Sequence, residues 1–157
     1  MKLYNLLNEK YIAAELSSEN KIDVINEMVD LFRDDNRVTD LEKVRASVLE
    51  REKILSTGVG KNFAIPHGKT DAIDEILCAF GKSSKPIDFE SLDHQPVYIV
   101  FLLVGKENLV SLHIKLLSRI SRMMSKDDFR KKLMNAKTSK EIMEIFKNEE
   151  DAFFDEL

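Results

Sequence analysis

The feature that most constrains the fold is an uninterrupted apolar run at residues 97–104, Val-Tyr-Ile-Val-Phe-Leu-Leu-Val. The run is rich in residues that favour strands, and it has no polar face that could lie against water. Such a segment is typical of a central strand that is covered on both sides. We therefore predict an α/β domain of three layers, in which a mixed, mostly parallel sheet lies between two layers of helices.

The rest of the chain alternates between predicted helices and strands. Further strands are predicted at residues 11–16, 63–65 and 73–80, and residues 83–96 are expected to form an irregular connection because of Pro86 and Pro96. A helical turn is expected at residues 3–7. Helical spacing of apolar residues predicts longer helices from about residue 18, from 39 and over 109–124, and cap motifs predict two more near the C-terminus. The predicted N-cap residues are Ser18, Thr39, Ser125 and Thr138.

Length and composition limit the possible classes of protein. At 157 residues the chain is long enough for one domain, which we place at residues 1–150, followed by an acidic tail at 151–157. The formal net charge of −4 and the lack of a basic stripe argue against a nucleic-acid partner. No apolar run reaches membrane-spanning length and no signal-peptide pattern is present, so we expect a cytoplasmic protein without direct membrane insertion. The single cysteine, Cys78, lies in a predicted strand and is expected to be buried rather than reactive.

The strongest candidate functional residue is His67, which lies between Pro66 and Gly68. Proline fixes φ and has no N–H, so a regular strand or helix cannot simply continue through Pro66. Glycine allows another backbone or a bulky anion to come close to the imidazole. A histidine placed in this way is an accessible nucleophile. The alternative is a turn histidine without a chemical role.

Two more residues are predicted to lie near His67. His113 follows the central strand on the apolar face of the next helix, close to where ligand sites of open α/β sheets lie and where helix N-termini favour anions. Arg51 lies three residues beyond Val48 on the inward stripe of the preceding helix, so its guanidinium is predicted to point into the fold and to need an anion. The alternatives are a hydrogen-bonded core histidine and an arginine on a solvated face.

Residues 51–69 carry a resemblance to a known family. Their sequence, Arg-Glu-Lys-Ile-Leu-Ser-Thr-Gly-Val-Gly-Lys-Asn-Phe-Ala-Ile-Pro-His-Gly-Lys, closely resembles the phosphorylation-site signature of the enzyme IIA (EIIA) domains of the bacterial phosphoenolpyruvate-dependent sugar phosphotransferase system (PTS). The similarity continues through residues 91–104, 112–117 and 128–133 and thus covers nearly the whole chain. It is to the type 2 branch of fructose, mannitol and nitrogen-regulatory domains. The Pro-His-Gly-Lys-Thr form of the loop is most similar to the fructose-type members.

This resemblance implies a role for each candidate residue in a protein-histidine phosphotransferase component. His67 matches the histidine that accepts a phosphoryl group, on its tele nitrogen, from the phosphocarrier protein HPr and passes it to a IIB domain. His113 matches the second active-site histidine, and Arg51 matches the arginine that helps to hold the phosphoryl group. No cofactor or metal is expected, and the implied partners are phospho-HPr and IIB. Three residues around the loop are expected to add hydrogen bonds to the phosphoryl oxygens: Thr57, Gly58 and Gly68.

The chain departs from the family pattern at two positions. Asn62 stands where many relatives carry glycine, and Phe63 stands where they carry a small aliphatic residue. Asparagine tolerates left-handed backbone angles better than most residues do, so we expect the loop to keep its shape.

Other interpretations of the sequence remain open. A regulatory protein of the same fold, whose phosphorylation state controls its partners, is a second candidate function. A small metal-dependent hydrolase with His67 and His113 as ligands is a third, although no ligand spacing typical of zinc accompanies the histidines. We interpret His94 as a turn residue and Ser56 as a loop hydrogen-bonding residue, since no nucleophile-elbow motif surrounds the serine.

Overall fold

The structure, a computed structural model, describes residues 1–157. Its strands are β1 (Ile12–Ala13), β2 (Phe63–Ala64), β3 (His67–Lys69), β4 (Leu77–Ile87) and β5 (Val97–Gly105). They form one sheet in the order β1-β4-β5-β2, and β3 also pairs with β5. The pairings of β1 with β4 and of β2 and β3 with β5 are parallel, whereas β4 and β5 are antiparallel. The prediction of a mixed, mostly parallel sheet is confirmed.

Helices cover both faces of this sheet. They are α1 (Lys21–Val29), α2 (Leu41–Ile54), α3 (Val110–Met124), α4 (Asp127–Asn135) and α5 (Ser139–Phe153), with short 3-10 helices at Leu3–Asn5, Glu9–Tyr11 and Asp30–Phe32. None of the helices combines the length and the apolar character that crossing a bilayer requires. The predicted three-layer arrangement is therefore confirmed.

The central strand β5 divides the interior into two cores. Val100, Leu102 and Val104 pack with α1 and α2 on one face of the sheet. The intervening residues of the same strand, among them Phe101 and Leu103, pack with α3, α4 and α5 on the other face. Successive side chains of a strand point to opposite faces, so an entirely apolar strand supplies both cores at once.

Three of the four predicted N-caps are wrong. Ser18 does not cap α1, because its hydroxyl and its N–H donate to Glu27 instead, and Asn20 accepts the N–H of Asp23 at 3.0 Å. At the start of α2 the cap is Asp40 rather than Thr39. The backbone N–H of Thr39 is drawn to the carbonyl of Ala72 at 2.9 Å, which leaves the next residue at the helix start.

The two caps predicted for the last helices have opposite outcomes. Ser125 belongs to the end of α3, where its hydroxyl donates to the carbonyl of Ser121 at 2.6 Å, and α4 has no side-chain cap. Thr138 caps α5 as predicted, since it accepts the N–H of Glu141 at 3.1 Å. The choice between neighbouring cap residues depends on contacts elsewhere in the fold.

Strand β4 is longer and later than the sequence predicted. It starts at Leu77 and continues to Ile87, so the first residues of the predicted irregular connection at 83–96 are strand. Its register against β5 shifts between Lys82 and Ile87, and Pro86 falls in this irregular part. A proline is tolerated in a sheet at such a bulge because no ladder N–H is needed there.

A tight turn leads into β2. Lys61 and Asn62 both have positive φ, 56° and 63°, and the N–H of Phe63 donates to the carbonyl of Gly60 at 3.4 Å. The pattern is that of a type I′ turn. Asn62 thus adopts the left-handed conformation that was expected of it. Its side chain also donates to the carbonyl of Pro96 at 2.7 Å, which attaches the turn to the start of β5.

Lys61→Gly is expected to stabilise the protein. Glycine removes a left-handed penalty of about 1–2 kcal/mol and loses about 0.5–1 kcal/mol of chain entropy, so the free energy of unfolding should rise by roughly 0.5–1 kcal/mol. Urea unfolding measures the change. Lys147→Gly, at an exposed position inside α5, is the matched control and should lower stability by about 1 kcal/mol. Equal losses in the two variants would contradict this account of the turn.

Candidate active site

His67 is the first residue of β3 and lies beside Leu103 of β5. Its side chain is half-buried, and Nδ1 is 2.9 Å from the carbonyl oxygen of Ile65. A carbonyl can only accept a hydrogen bond, so Nδ1 carries the proton in this arrangement. The other ring nitrogen, Nε2, keeps its lone pair. The ring is therefore held in the tautomer that a nucleophilic Nε2 requires.

Gly68 brings β3 against α2. A Cβ at this position would lie 2.5 Å from Oγ of Ser47 and 3.0 Å from the backbone nitrogen of Val48. The close backbone that glycine was predicted to admit is thus that of a helix, and no side chain could take its place without moving α2. The role that this residue shows in the fold is packing.

His113 lies in the first turn of α3 and is 3% exposed. Its ring centroid is 5.8 Å from that of His67, at an angle of 59°. Neither of its ring nitrogens has a hydrogen-bond partner, which is uncommon for a buried polar group. Gly105 leaves room for the ring, since a Cβ there would lie 3.1 Å from Nδ1 of His113. The alternative of a hydrogen-bonded core histidine does not describe this residue, because neither nitrogen is bonded within the fold.

The surroundings keep both imidazoles neutral. Burial lowers the pKa of His67, and Arg51 and Lys69 lower it further, whereas the hydrogen bond to Ile65 and the charge of Glu52 act in the opposite direction. Burial, followed by the effects of His67 and Lys69, lowers the pKa of His113 to about 4. A neutral imidazole is the nucleophilic form, so His67 can react near neutral pH.

The predicted inward orientation of Arg51 is not what the structure shows. The inward stripe of α2 continues by four residues, so that Val44, Val48 and Glu52 are buried. Arg51 is half-buried, and its Nη1 donates to the carbonyl of Leu55 at 2.8 Å. Because a helix has 3.6 residues per turn, a step of three and a step of four are both compatible with one stripe, and packing selects between them. Arg51 still lies near enough to His67 to lower its pKa.

The loop residues Thr57 and Gly58 support the loop itself. The N–H and the hydroxyl of Thr57 donate to the carboxylate of Glu52 at 2.9 and 2.7 Å, so neither is free for another anion. The N–H of Gly58 donates to Oγ of Ser56 at 3.2 Å, and a Cβ on Gly58 would lie 2.4 Å from Oγ of Ser91. Ser56 also donates to the carbonyl of Phe89 at 3.2 Å, as expected of a loop hydrogen-bonding residue.

Glu52 is the functional candidate that the sequence analysis missed. It is 3% exposed and lies four residues after Val48, a spacing that would have revealed it. The remaining predicted residues lie where they were expected: His94 is exposed at a bend with φ 61°, and Cys78 is buried in β4. No group of three or more His, Cys, Asp or Glu side chains is arranged to hold a metal ion.

The family model for the phosphoenolpyruvate-dependent sugar phosphotransferase system, EIIA 2, matches residues 5–149, and the chain belongs to this family. Domains of this family carry phosphoryl groups on histidine.

Relatives in the family have two kinds of name. The chain is 35% identical to the PTS fructose-specific EIIABC component of Bacillus subtilis over 92% of its own length and 23% of that protein. It is 33% identical to the PTS fructose-specific EIIA component of Haloferax volcanii, over 85% of this chain and 87% of that protein. It is also 42% identical to a nitrogen regulatory protein of Bradyrhizobium diazoefficiens, over 62% of this chain and 64% of that protein. The chain thus spans less than two thirds of the Bacillus and Bradyrhizobium proteins.

Solved structures agree with this assignment. The nitrogen regulatory protein IIA-Ntr of Neisseria meningitidis superposes with a TM-score of 0.85 at 26% identity, over 92% of this chain and 98% of that one. The IIA mannitol domain of Escherichia coli has a TM-score of 0.75 at 18% identity, over 88% and 97% of the two chains, and shows the shared fold.

A phosphoryl group on His67 would be expected to change the protonation of His113. In the unmodified protein its imidazole should titrate near pH 4. A phosphoryl dianion beside it favours the charged ring and should raise this pKa. Imidazole resonances followed by NMR against pH, before and after phosphorylation, measure both values.

The same lowered pKa predicts how stability depends on pH. The unfolded chain binds a proton at this histidine near pH 6.5, above the folded value, so the contribution of His113 to stability falls as pH drops from about 6.5 towards 4. An NMR titration midpoint near pH 6.5 for His113 in the folded, unphosphorylated protein would contradict the lowered pKa and the pH dependence of stability that follows from it.

Proposed function

We propose that this chain is a phosphocarrier of the phosphotransferase system, which accepts a phosphoryl group from phospho-HPr on Nε2 of His67 and passes it to a IIB domain. One observation carries this proposal. The Nδ1 of His67 is bonded to a carbonyl, which leaves Nε2 as the free nucleophile next to a second, unpartnered imidazole.

The chemistry needs little covalent help from the protein. The lone pair of Nε2 forms the new bond to phosphorus while the bond between phosphorus and the donor protein breaks, and the Nδ1 proton stays directed at the carbonyl of Ile65. Phosphoryl transfer of this kind depends on in-line placement and on stabilisation of charge on the transferred oxygens.

Side chains around Nε2 can supply that stabilisation. His113 is buried and can direct an N–H at a phosphoryl oxygen. Arg51 can exchange its bond to the Leu55 carbonyl for a planar, two-pronged contact with the oxygens. Lys69, two residues after His67 on β3, adds positive charge that acts on both histidines.

The surface around the site is suited to protein partners. Exposed apolar side chains follow Arg51 at the end of α2 and in the loop after it, and others flank His113 on α3; they are Ile54, Leu55, Val59, Val110 and Ile114. Apolar side chains on both sides of a reactive residue favour docking of another protein. A structural neighbour, the IIA mannitol domain of Escherichia coli, was solved in complex with phosphorylated IIB mannitol, which supports IIB as the acceptor.

We infer a fructose-like sugar as the final acceptor, because two relatives along much of this chain are named fructose-specific. A regulatory role is favoured instead by the relatives named nitrogen regulatory protein. The two functions differ in whether a IIB domain receives the phosphoryl group. The metal-dependent hydrolase has little support, since the two histidines have no third ligand arranged with them.

His67→Ala is expected to abolish labelling by phospho-HPr while the circular dichroism spectrum stays that of the folded protein. Arg51→Ala and His113→Ala should each slow labelling by about 10²-fold, because each removes a charge-directed contact. His94→Asn, a change in an exposed turn, is the control and should be labelled like the wild type. Normal labelling of His67→Ala would overturn the assignment.

Transfer of the phosphoryl group from this protein to a IIB domain distinguishes a role in sugar transport from a role in regulation. The phosphorylated protein is mixed with IIB domains of fructose-type permeases, and sugar phosphate is measured after the membrane component and fructose are added. Formation of sugar phosphate supports transport. Labelling by phospho-HPr without transfer to any IIB supports regulation, and stoichiometric zinc in the purified protein would support the hydrolase.

A further inference from the structure

His67 is connected to a buried carboxylate by a chain of hydrogen bonds. The imidazole Nδ1 donates to the carbonyl of Ile65 at 2.9 Å. The N–H of Ile65 donates to the carbonyl of Thr57 at 3.3 Å. The N–H and the hydroxyl of Thr57 donate to Glu52 at 2.9 and 2.7 Å. Each link therefore fixes the next residue, from the last turn of α2 to the reactive ring.

Further contacts hold both ends of this hydrogen-bond network. Glu52 is 3% exposed, both of its oxygens accept hydrogen bonds from Thr57, and Nζ of Lys21 lies 3.7 Å from Oε1. At the other end, Pro66 restricts the backbone of Ile65 and its own carbonyl accepts the N–H of Leu103 in β5 at 3.1 Å. The Ile65 carbonyl can therefore move little relative to His67.

We propose that Glu52 is a positioning residue for phosphoryl transfer, which acts through Thr57 and Ile65 to hold His67 in its Nδ1–H form with Nε2 directed outward. This proposal rests on the proposed function of His67. These hydrogen bonds fix the positions of the linked residues but do not pass polarisation from Glu52 to His67. The reason is that the N–H and the C=O of each linking residue belong to different peptide groups. A carboxylate that orients a reactive histidine directly is a common arrangement in enzymes. Here the orienting contact is made by a carbonyl, and the carboxylate holds the loop that presents it.

Glu52 and its neighbour Arg51, both in the last turn of α2, have different surroundings and different proposed roles. Arg51 is half-buried and can exchange its hydrogen bond to the Leu55 carbonyl for a contact with the phosphoryl group, whereas Glu52 faces inward and holds Thr57. The charged and titratable groups that act on His67 are Arg51 and Glu52 from α2 and Lys69 from β3, and His113 from α3 lies beside its ring. Among the charged groups, Glu52 raises the pKa of His67, and the two cations lower it.

Glu52→Gln tests the proposal because it keeps the shape of the side chain and removes its charge. Imidazole nitrogen shifts in NMR give the tautomer and the titration midpoint of His67, and single-turnover labelling by phospho-HPr gives the rate. We expect the population of the Nδ1–H form of His67 and the titration midpoint of this histidine to fall. The rate of labelling should drop about 10- to 100-fold, as activity does when a residue that orients a metal-binding histidine is replaced. Glu90→Gln is the matched control, since Glu90 is an exposed carboxylate 3.5 Å from the same Lys21 and takes no part in the hydrogen bonds that lead to His67. It should leave all three values unchanged.

A second pair of variants covers the case in which Glu52→Gln fails to fold. Thr57→Val removes the hydroxyl link and keeps the N–H link, so it should slow labelling less than Glu52→Gln does, and Thr57→Ser should restore the wild-type rate. The proposal is overturned if Glu52→Gln matches Glu90→Gln in tautomer and rate, or if Thr57→Val is labelled like the wild type. If phospho-HPr fails to label even the wild type, the proposed function fails, and the tautomer of His67 in Glu52→Gln still decides whether Glu52 positions the ring.

Discussion

The site depends on the close approach of β3 to α2 at Gly68. This contact has no room for a side chain, and parallel pairing with β5 fixes the other side of the same short strand. His67 therefore emerges between a helix and the central strand, with its Nδ1 turned back to the carbonyl of Ile65.

The electrostatics of the site match this placement. Burial and two neighbouring cations keep His67 in its neutral form, and deeper burial does the same for His113. The positive charges of Arg51 and Lys69 act on His67, and both ring nitrogens of His113 lack a hydrogen-bond partner, an arrangement that favours an anion. The negative charge that acts on His67 is that of Glu52, and both of its oxygens are engaged by Thr57. The buried carboxylate thus supports the loop.

Much of the architecture could be predicted because it depends on local patterns. The apolar run that forms β5 has no polar face, so it can be buried only as a strand that is covered on both sides. Pro66 and Gly68 on either side of His67 likewise indicated a break in regular secondary structure next to this histidine. Caps and strand ends were less predictable. Ser18 and Thr39 are good cap residues by type, but hydrogen bonds to Glu27 and Ala72 engage them elsewhere.

The sequence by itself determined the layers of the fold, the family and the two histidines, since periodicity and a long motif carry that information without knowledge of distant contacts. Only the tertiary structure decided which side chain in the last turn of α2 faces the interior. A stripe that can continue by three or four residues indicated Arg51 and concealed Glu52, and the packing of α2 against the sheet turned the carboxylate inward. The donors of Thr57 were likewise assigned by that packing, because a hydrogen-bond partner is set by position in space and not by order along the chain.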